Sequence, residues 1–389
     1  MPYFPPHRGG VETVGEEIGQ NWTKNDFGEF INVVTDFEQE LFLNYGSIEK
    51  IIFDGEIIGY KKDDCEVLVV PSIEIINNFP VYKIWSKEYK IIKKYLKQKI
   101  GDNKNYWRVI THTRFFLTSF IGGLSARSPH PNPLPSKERE YNRIKWIHIE
   151  HGSSYVLLSS KLKSYISIIY DKTIGKWVFK KADRVLAISK VSKEFILNKF
   201  IKREISVFYR GLDFLYNLEE KNDDVQIVYI GRLVFLKGVS NLIDAYISSR
   251  INNKLIIIGD GEEKIKLEEK SKGKNIHFLG YKNREFVFDF LSKHNCILVN
   301  PSFSEGMPTT VIEGLLTKNV VVATDVGGTK EITNHKDLIL FKAGDEKELK
   351  KNLIYAVENY SKLKGVSFEE IKNKFSRENN ILKLYNLVK

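Results

Sequence analysis

Glu305 and Glu313 stand eight residues apart in the run Ser302-Phe303-Ser304-Glu305-Gly306-Met307-Pro308-Thr309-Thr310-Val311-Ile312-Glu313-Gly314. Pro308 suits the first turn of a helix, where its fixed φ and missing N–H cost nothing. Gly306 and Met307 would then offer main-chain N–H groups at the positive end of that helix, a place that holds anions. Glu305 would sit on the loop beside such a ligand. Glu313, a turn and a half into the helix, could accept hydrogen bonds from a diol such as a ribose. Taken alone, a capped surface helix with two incidental glutamates would read the same way.

A second group is Gly231-Arg232-Leu233-Val234-Phe235-Leu236-Lys237-Gly238, which follows a strand and opens a helix. Arg232 and Lys237 can converge on a diphosphate, the arginine in bidentate fashion. Surface cations at a strand end are the plainer alternative. The spacing is not that of a Walker A loop, and no Ser or Thr follows the lysine. A third group is His148-Ile149-Glu150-His151-Gly152-Ser153, also at a strand end, with His112 and Arg114 closing the preceding strand. Two histidines raise the possibility of a metal, but no cysteine or carboxylate cluster supports one at a familiar spacing. A fourth, weaker signal is Gly9-Gly10 in Pro5-Pro6-His7-Arg8-Gly9-Gly10-Val11-Glu12, where paired glycines allow a close backbone approach to a ligand.

These residues need a scaffold that brings strand ends together. In the second half, short β-branched runs at 225–230, 254–258, 276–279, 296–299 and 320–323 read as buried parallel strands. Helical patterns near 238–248, 262–271, 283–293 and 308–317 separate them. A turn signal, most often glycine, closes each strand, which is the pattern of a doubly wound α/β sheet that binds ligands at the carboxyl ends of its strands. The first half is the same class, with candidate strands at 30–35, 51–53, 67–70, 107–111, 145–149, 184–188 and 205–208. The segment 345–389 reads as helices. The polar run 217–224 marks a boundary, giving domains of 1–215 and 216–389. Four prolines alternate through Ser128–Pro135, so 128–140 is expected to be an extended surface insertion.

The chain has 389 residues, ordinary globular composition and two distant cysteines, Cys65 and Cys296. That excludes a disulfide scaffold and a cysteine-rich zinc module, and it fits a reducing compartment. No signal-peptide h-region opens the chain, and no apolar run approaches the length of a spanning helix. The net charge is +11. It is concentrated in 151–211, which holds 13 Lys or Arg against 4 Asp or Glu. Lys83, Lys87, Lys90, Lys94 and Lys97 follow helical spacing, with Trp85, Ile92, Tyr95 and Leu96 set to face the other way. This basic amphipathic helix is either a solvated face or an attraction for anionic lipid. No nucleic-acid-reading motif accompanies the charge, so no nucleic acid partner is expected.

Taken together, the motifs resemble retaining glycosyltransferases of family 4, with the GT-B architecture of two facing Rossmann-like domains. The Glu305…Glu313 element is the most specific. Gly231-Arg232…Lys237-Gly238, Gly259-Asp260-Gly261 and Asp325-Val326-Gly327-Gly328…Glu331 arrive in the family's order. The resemblance implies a donor that is a UDP-, GDP- or ADP-sugar, a glycan or lipid-linked acceptor, and no metal cofactor; no Asp-x-Asp motif occurs. It implies that Arg232 and Lys237 hold the diphosphate, Glu305 the donor sugar and Glu313 the ribose. The main chain at Gly306, Met307 and Thr309 cradles phosphate and sugar, and Tyr281 lies at the base. His151 faces the donor sugar, and Gly9 and Gly10 close over phosphate and acceptor. The expected role is synthesis of cell-surface polysaccharide or lipopolysaccharide by a cytoplasmic enzyme, peripheral on the inner face of the membrane. The competing readings are a catalytically impaired sugar-nucleotide-binding relative or partner subunit, and a sugar-nucleotide epimerase of the same architecture. Two features depart from the family: the opening strand that should precede Tyr3 is missing from the expected N-terminal domain, and the proline-rich insertion is foreign to the pattern.

Overall fold

The fold comes from a computed structural model. It describes residues 18–36 except 20, 23, 26 and 28; 49–112 except 63, 64, 77, 78, 83, 84 and 102–107; 121 and 123; 145–155; 161–212; 221; and 224–389. Gly9, Gly10 and the insertion at 128–140 lie outside the described residues. The chain forms two compact units. One comprises Met1–Ala187, Lys193–Phe208 and Ile381–Lys389; the other comprises Ile188–Ser192 and Tyr209–Asn380.

The first unit carries two sheets. Strands β1 (Ile31–Asp36), β2 (Lys50–Phe53), β3 (Glu56–Lys62), β4 (Cys65–Ile76) and β5 (Phe79–Tyr82) form a mixed sheet of order β1-β4-β3-β2, with β5 on β4. Only the β1–β4 pairing is parallel. The antiparallel β2–β3 hairpin departs from the uniformly parallel pattern expected of this half. Its cause is Asp54-Gly55, whose φ values of 51° and 78° suit the two central positions of a tight hairpin turn. Helix α1 (Lys87–Ile100) begins at Ser86, whose hydroxyl accepts from the Tyr89 N–H, and it buries Ile92 against Ile58, Leu68 and Val70. Trp85 departs from expectation: it precedes the helix and is exposed. Tyr95 and Leu96 do pack on that core. On the outer face, Lys87 pairs with Glu56 and Lys94 with Asp54, so acids offset part of the lysine stripe.

The second sheet, β6 (Arg108–His112), β7 (Lys145–Glu150), β8 (Arg184–Ala187) and β9 (Ser206–Val207), is parallel and runs in chain order. Helix α2 (Lys161–Tyr170) continues through a π-turn at Asp171–Gly175 into α3 (Lys176–Lys181), and α4 (Lys190–Lys199) follows β8. Trp146, Val178, Phe179, Val185 and Ile196 fill the core beside this sheet.

The second unit is a six-stranded parallel sheet flanked by helices. Its strands are β10 (Gln226–Ile230), β11 (Leu255–Ile258), β12 (Ile276–Gly280), β13 (Cys296–Asn300), β14 (Val320–Thr324) and β15 (Leu338–Phe341). The helices are α5 (Val239–Ser249), α6 (Lys264–Lys270), α7 (Arg284–Lys293), α8 (Thr309–Leu316), α9 (Glu346–Glu358), α10 (Tyr360–Leu363) and α11 (Phe368–Lys374); α12 (Arg377–Val388) begins in this unit. The sheet order β12-β11-β10-β13-β14-β15 is that of a dinucleotide-binding fold, with the reversal between β10 and β13. Strands β11, β13 and β14 are buried along their whole length, which is why they read as unbroken apolar runs. Among the described residues, no helix is long and apolar enough to cross a membrane.

Candidate active site

The reversal between β10 and β13 places two loops side by side at the carboxyl ends of those strands. The first, 231–238, carries Arg232 and Lys237. The second, 301–308, carries Glu305 and leads into α8. They are tied by the main chain, where the Phe303 N–H donates to the Leu236 carbonyl at 2.9 Å. They are tied again by side chains, where Phe235 and Phe303 stack with ring centroids 5.5 Å apart. Lys237 Nζ lies 2.6 Å from Glu305 Oε1, in a partly buried pair. Sequence spacing therefore predicted two groups that the fold makes into one.

Glycine permits this closeness at two points. Gly238 has φ +65°, and a Cβ there would lie 2.2 Å from the Pro301 carbonyl oxygen. Gly327 has φ +55°, and its Cβ would lie 1.9 Å from the Glu305 carbonyl oxygen. Both backbones are left-handed and both approaches would be closed to any side chain. The Gly328 N–H also donates to the Gly306 carbonyl at 2.8 Å, so the loop after β14 braces Glu305 from behind. Asn300 and Thr324 fix the start of the 301–308 loop. The Thr324 hydroxyl donates to the Ser302 carbonyl at 2.6 Å, and the Ser302 N–H donates to Asn300 Oδ1 at 3.3 Å.

Pro308 is the residue preceding α8 and keeps an extended conformation, so the helix begins at Thr309, one residue later than the sequence suggested. The first-turn N–H groups of Thr309, Thr310 and Val311 have no acceptor among the described residues, as expected at a helix start. Met307 is buried and Thr309 half-buried. Together with Lys237, this end makes a cationic, hydrogen-bond-donating pocket wall suited to phosphate oxygens.

Arg232 is exposed and has no ion-pair partner among the described residues. It is placed by its own carbonyl, which accepts from the Tyr229 hydroxyl at 2.8 Å. Burial, with the nearby Glu305 carboxylate adding, holds the Tyr229 phenol above its ordinary value, so it stays a neutral donor. Glu313 is buried on α8, and Arg284, from the start of α7, reaches its Oε1 with Nε at 3.2 Å. Sequence reasoning missed Arg284. The strand-turn-helix pattern at 276–293 placed it beside Tyr281, but nothing local marked Glu313, 29 residues on, as its partner. Tyr281 is exposed on the loop after β12. Glu331 closes the site's outer brace. Its carboxylate accepts from the main-chain N–H groups of Lys190 and Val191 at 2.7 and 2.8 Å and from the Tyr209 hydroxyl at 3.2 Å. Burial first, and then the Glu331 carboxylate beside it, push the Tyr209 phenol up to about 12.

In the first unit, His151 follows β7 and its Nε2 lies 3.1 Å from His112 Nδ1 at the end of β6. His148 points away from this pair. It is fully buried, takes Thr111 Oγ1 at 2.9 Å and Glu150 Oε2 at 3.4 Å, and meets the Phe179 ring edge-on. Alternation along β6 accompanies the split: Thr111, which meets His148, and His112, which meets His151, are adjacent residues facing opposite sides of the sheet. Glu150 is also fully buried, and its Oε1 accepts from the Gly152 N–H at 2.6 Å, which fixes the turn that carries His151. No cluster of three or more potential metal ligands occurs among the described residues.

Comparison with known proteins bears on the family and the fold. The family description "Glycosyl transferases group 1" matches residues 216–372, which span the second unit's sheet. The uncharacterized glycosyltransferase MJ1069 of Methanocaldococcus jannaschii is 29% identical over 97% of this chain and 92% of its own. The candidate teichuronic acid biosynthesis glycosyltransferase TuaC of Bacillus subtilis is 38% identical over 73% of this chain and 71% of its own. Among solved structures, HepE of Anabaena in complex with UDP superposes with a TM-score of 0.65 at 15% identity, covering 100% of this chain and 99% of that one. The likeness is one of fold: two Rossmann-like domains, the GT-B architecture. On the match to TuaC and to the family description, the chain belongs to the group 1 glycosyltransferases.

Proposed function

We propose that the protein is a retaining, metal-independent transferase. It moves a sugar from a nucleoside diphosphate sugar to a glycan or lipid-linked acceptor in cell-surface polysaccharide synthesis. The observation that carries the reading is the joining of Lys237 and Glu305 at the sheet's reversal point, beside the first turn of α8 and the exposed Arg232. Arg232, Lys237 and the amides of α8 stabilise the negative charge that grows on the diphosphate as the glycosidic bond breaks, the work a metal ion does elsewhere. These groups are fixed in place before the reaction, so little reorganisation opposes them. Glu305 orients the donor sugar, Glu313 with Arg284 the ribose, and Tyr281 the base. Gly306, Met307 and Thr309 contribute their main chain, and Gly9 and Gly10 the closing loop.

His151 is assigned to the donor sugar, as the family resemblance suggests. The acceptor attacks from the face the diphosphate leaves, and a leaving-group oxygen takes the acceptor's proton. The breaking bond is anomeric carbon to phosphate oxygen, and the forming bond is anomeric carbon to acceptor oxygen. A polymer at the cell surface is supported by the teichuronic acid assignment of TuaC. We place the enzyme in the cytoplasm, peripheral on the membrane, where a lipid-linked acceptor is found. The test is transfer from UDP-, GDP- and ADP-sugars in EDTA, with the anomeric configuration of the product read by NMR. Product of inverted configuration, or strict dependence on a divalent ion, would refute the mechanism.

A further inference from the structure

Helix α2 is built the wrong way round for a helix packed against a core. Leu162, Tyr165, Ile166 and Ile169 are 69%, 63%, 53% and 45% exposed. Their spacing of three, one and three residues sets them on a single stripe. The buried positions are polar instead: Ser167 on α2 and Asp171 in the π-turn that follows. Four large apolar side chains in one outward row exceed the scattered exposure that a soluble surface needs no reason for.

The surroundings of the stripe are basic. From 161 to 181 the sequence holds Lys161, Lys163, Lys172, Lys176, Lys180 and Lys181 against one acid, Asp171. That acid is fully buried, while Lys172 and Lys180 are exposed. An apolar row beside the exposed Lys172 and Lys180 fits an anionic bilayer, with the row at the acyl boundary, the Tyr165 ring at headgroup level and the lysines on lipid phosphates. A second copy fits poorly, because face-to-face packing about a two-fold axis would set lysine against lysine.

We propose that α2 is a membrane-docking helix that lays Leu162, Tyr165, Ile166 and Ile169 into the surface of an anionic bilayer. It names the surface behind the peripheral placement proposed above and rests on that reading only for the purpose of docking.

The test is co-sedimentation of the full chain with phosphatidylcholine vesicles and with vesicles that also carry phosphatidylglycerol, without donor or acceptor. The chain is expected to pellet with the anionic vesicles and not with phosphatidylcholine alone. Leu162→Glu with Ile166→Glu is expected to lower partitioning by more than about tenfold. Lys172→Gln and Lys180→Gln are each expected to lower it about fivefold. Thermal stabilisation by nucleotide is expected to persist in all of these variants, which shows that they fold. Three results would overturn the proposal. They are no binding to anionic vesicles, undiminished binding by the Leu162→Glu/Ile166→Glu variant, and a dimer in vesicle-free sedimentation velocity that this variant dissociates. Failure of the unaltered chain to bind any sugar nucleotide would instead strike the transfer reading and leave the docking helix standing.

Discussion

Lys237 and Glu305, 68 residues apart, meet with Nζ and Oε1 2.6 Å apart where the sheet's strand order reverses. The pair does two things. It holds the loop after β10 against the loop after β13, and it presents one cation and one carboxylate to the same ligand. With the two side chains only 24% and 13% exposed, removing either partner leaves the other charge in a mostly buried place and costs about 1–3 kcal/mol. Lys237→Ala and Glu305→Ala are therefore expected to keep the fold and lower the melting temperature by roughly 2–10 °C. Each is expected to reduce transfer about 100- to 1,000-fold, the range for loss of one charge-stabilising group. Steady-state kinetics alongside thermal melts check both halves of the statement.

Gly327 tests the backbone bracing of Glu305. A methyl at residue 327 would press on the Glu305 carbonyl, and the left-handed backbone would be strained as well. Gly327→Ala is expected to cost more than about 1 kcal/mol in urea unfolding, and to lower transfer through the displaced carboxylate. Loss of stability with full transfer would show that Glu305 does not depend on this contact.

Glu313 and Arg284 are assigned to the ribose end of the donor. Breaking a hydrogen bond to a charged group is expected to weaken donor binding by about tenfold or more in Glu313→Gln and in Arg284→Ala. Inhibition by inorganic pyrophosphate, which has no ribose, is expected to be unaffected in both. Calorimetric titration of the nucleotide and inhibition by pyrophosphate separate the two ends.

His112 predicts a pH dependence of stability in the first unit. Burial first, then the neighbouring His151 and His148, push its imidazole well below the ordinary value of 6.5. The unfolded chain takes up a proton at this residue near pH 6.5, while the folded one does not. Stability is thus fully present above that pH and falls as the pH drops from 6.5 toward the folded value. His112→Asn is expected to flatten this slope between pH 6.5 and 5. Thermal melts across that range measure it, and an unchanged slope would show that other groups carry the dependence.

Much of the second unit was legible because β11, β13 and β14 are buried on both faces. Ile227–Ile230 and Leu255–Ile258 can only be core, and a glycine stops each one. The sixth strand, Leu338–Phe341, is harder to read: four apolar residues with one β-branched member, Ile339, have no period to separate strand from helix. In the first unit, Asp54-Gly55 marks a hairpin turn that apolar runs alone do not show. Trp85 has the spacing of a helix face it does not occupy, since Ser86 caps a helix that begins after it. Arg284 and His112 show a different limit. Their partners, Glu313 and His151, lie 29 and 39 residues away, and only the folded chain brings them together. The stripe on α2 has helical spacing that the sequence displays, but spacing alone assigns an apolar face to the core. Only exposure reveals that it faces out.

The central claim is that the second unit binds a sugar nucleotide through Arg232, Lys237, Glu305 and Glu313 without a metal. Thermal unfolding in EDTA, with UDP-, GDP- and ADP-sugars each present in turn, tests it most directly. At a concentration about 100-fold above its dissociation constant, the true donor should add about 2.7 kcal/mol to native-state stability. That corresponds to a rise of roughly 5–10 °C for a unit of this size. The account predicts such a rise with one of the nucleotides, and its loss in Lys237→Ala. An equal rise in that variant, or one that appears only when magnesium is added, would contradict it.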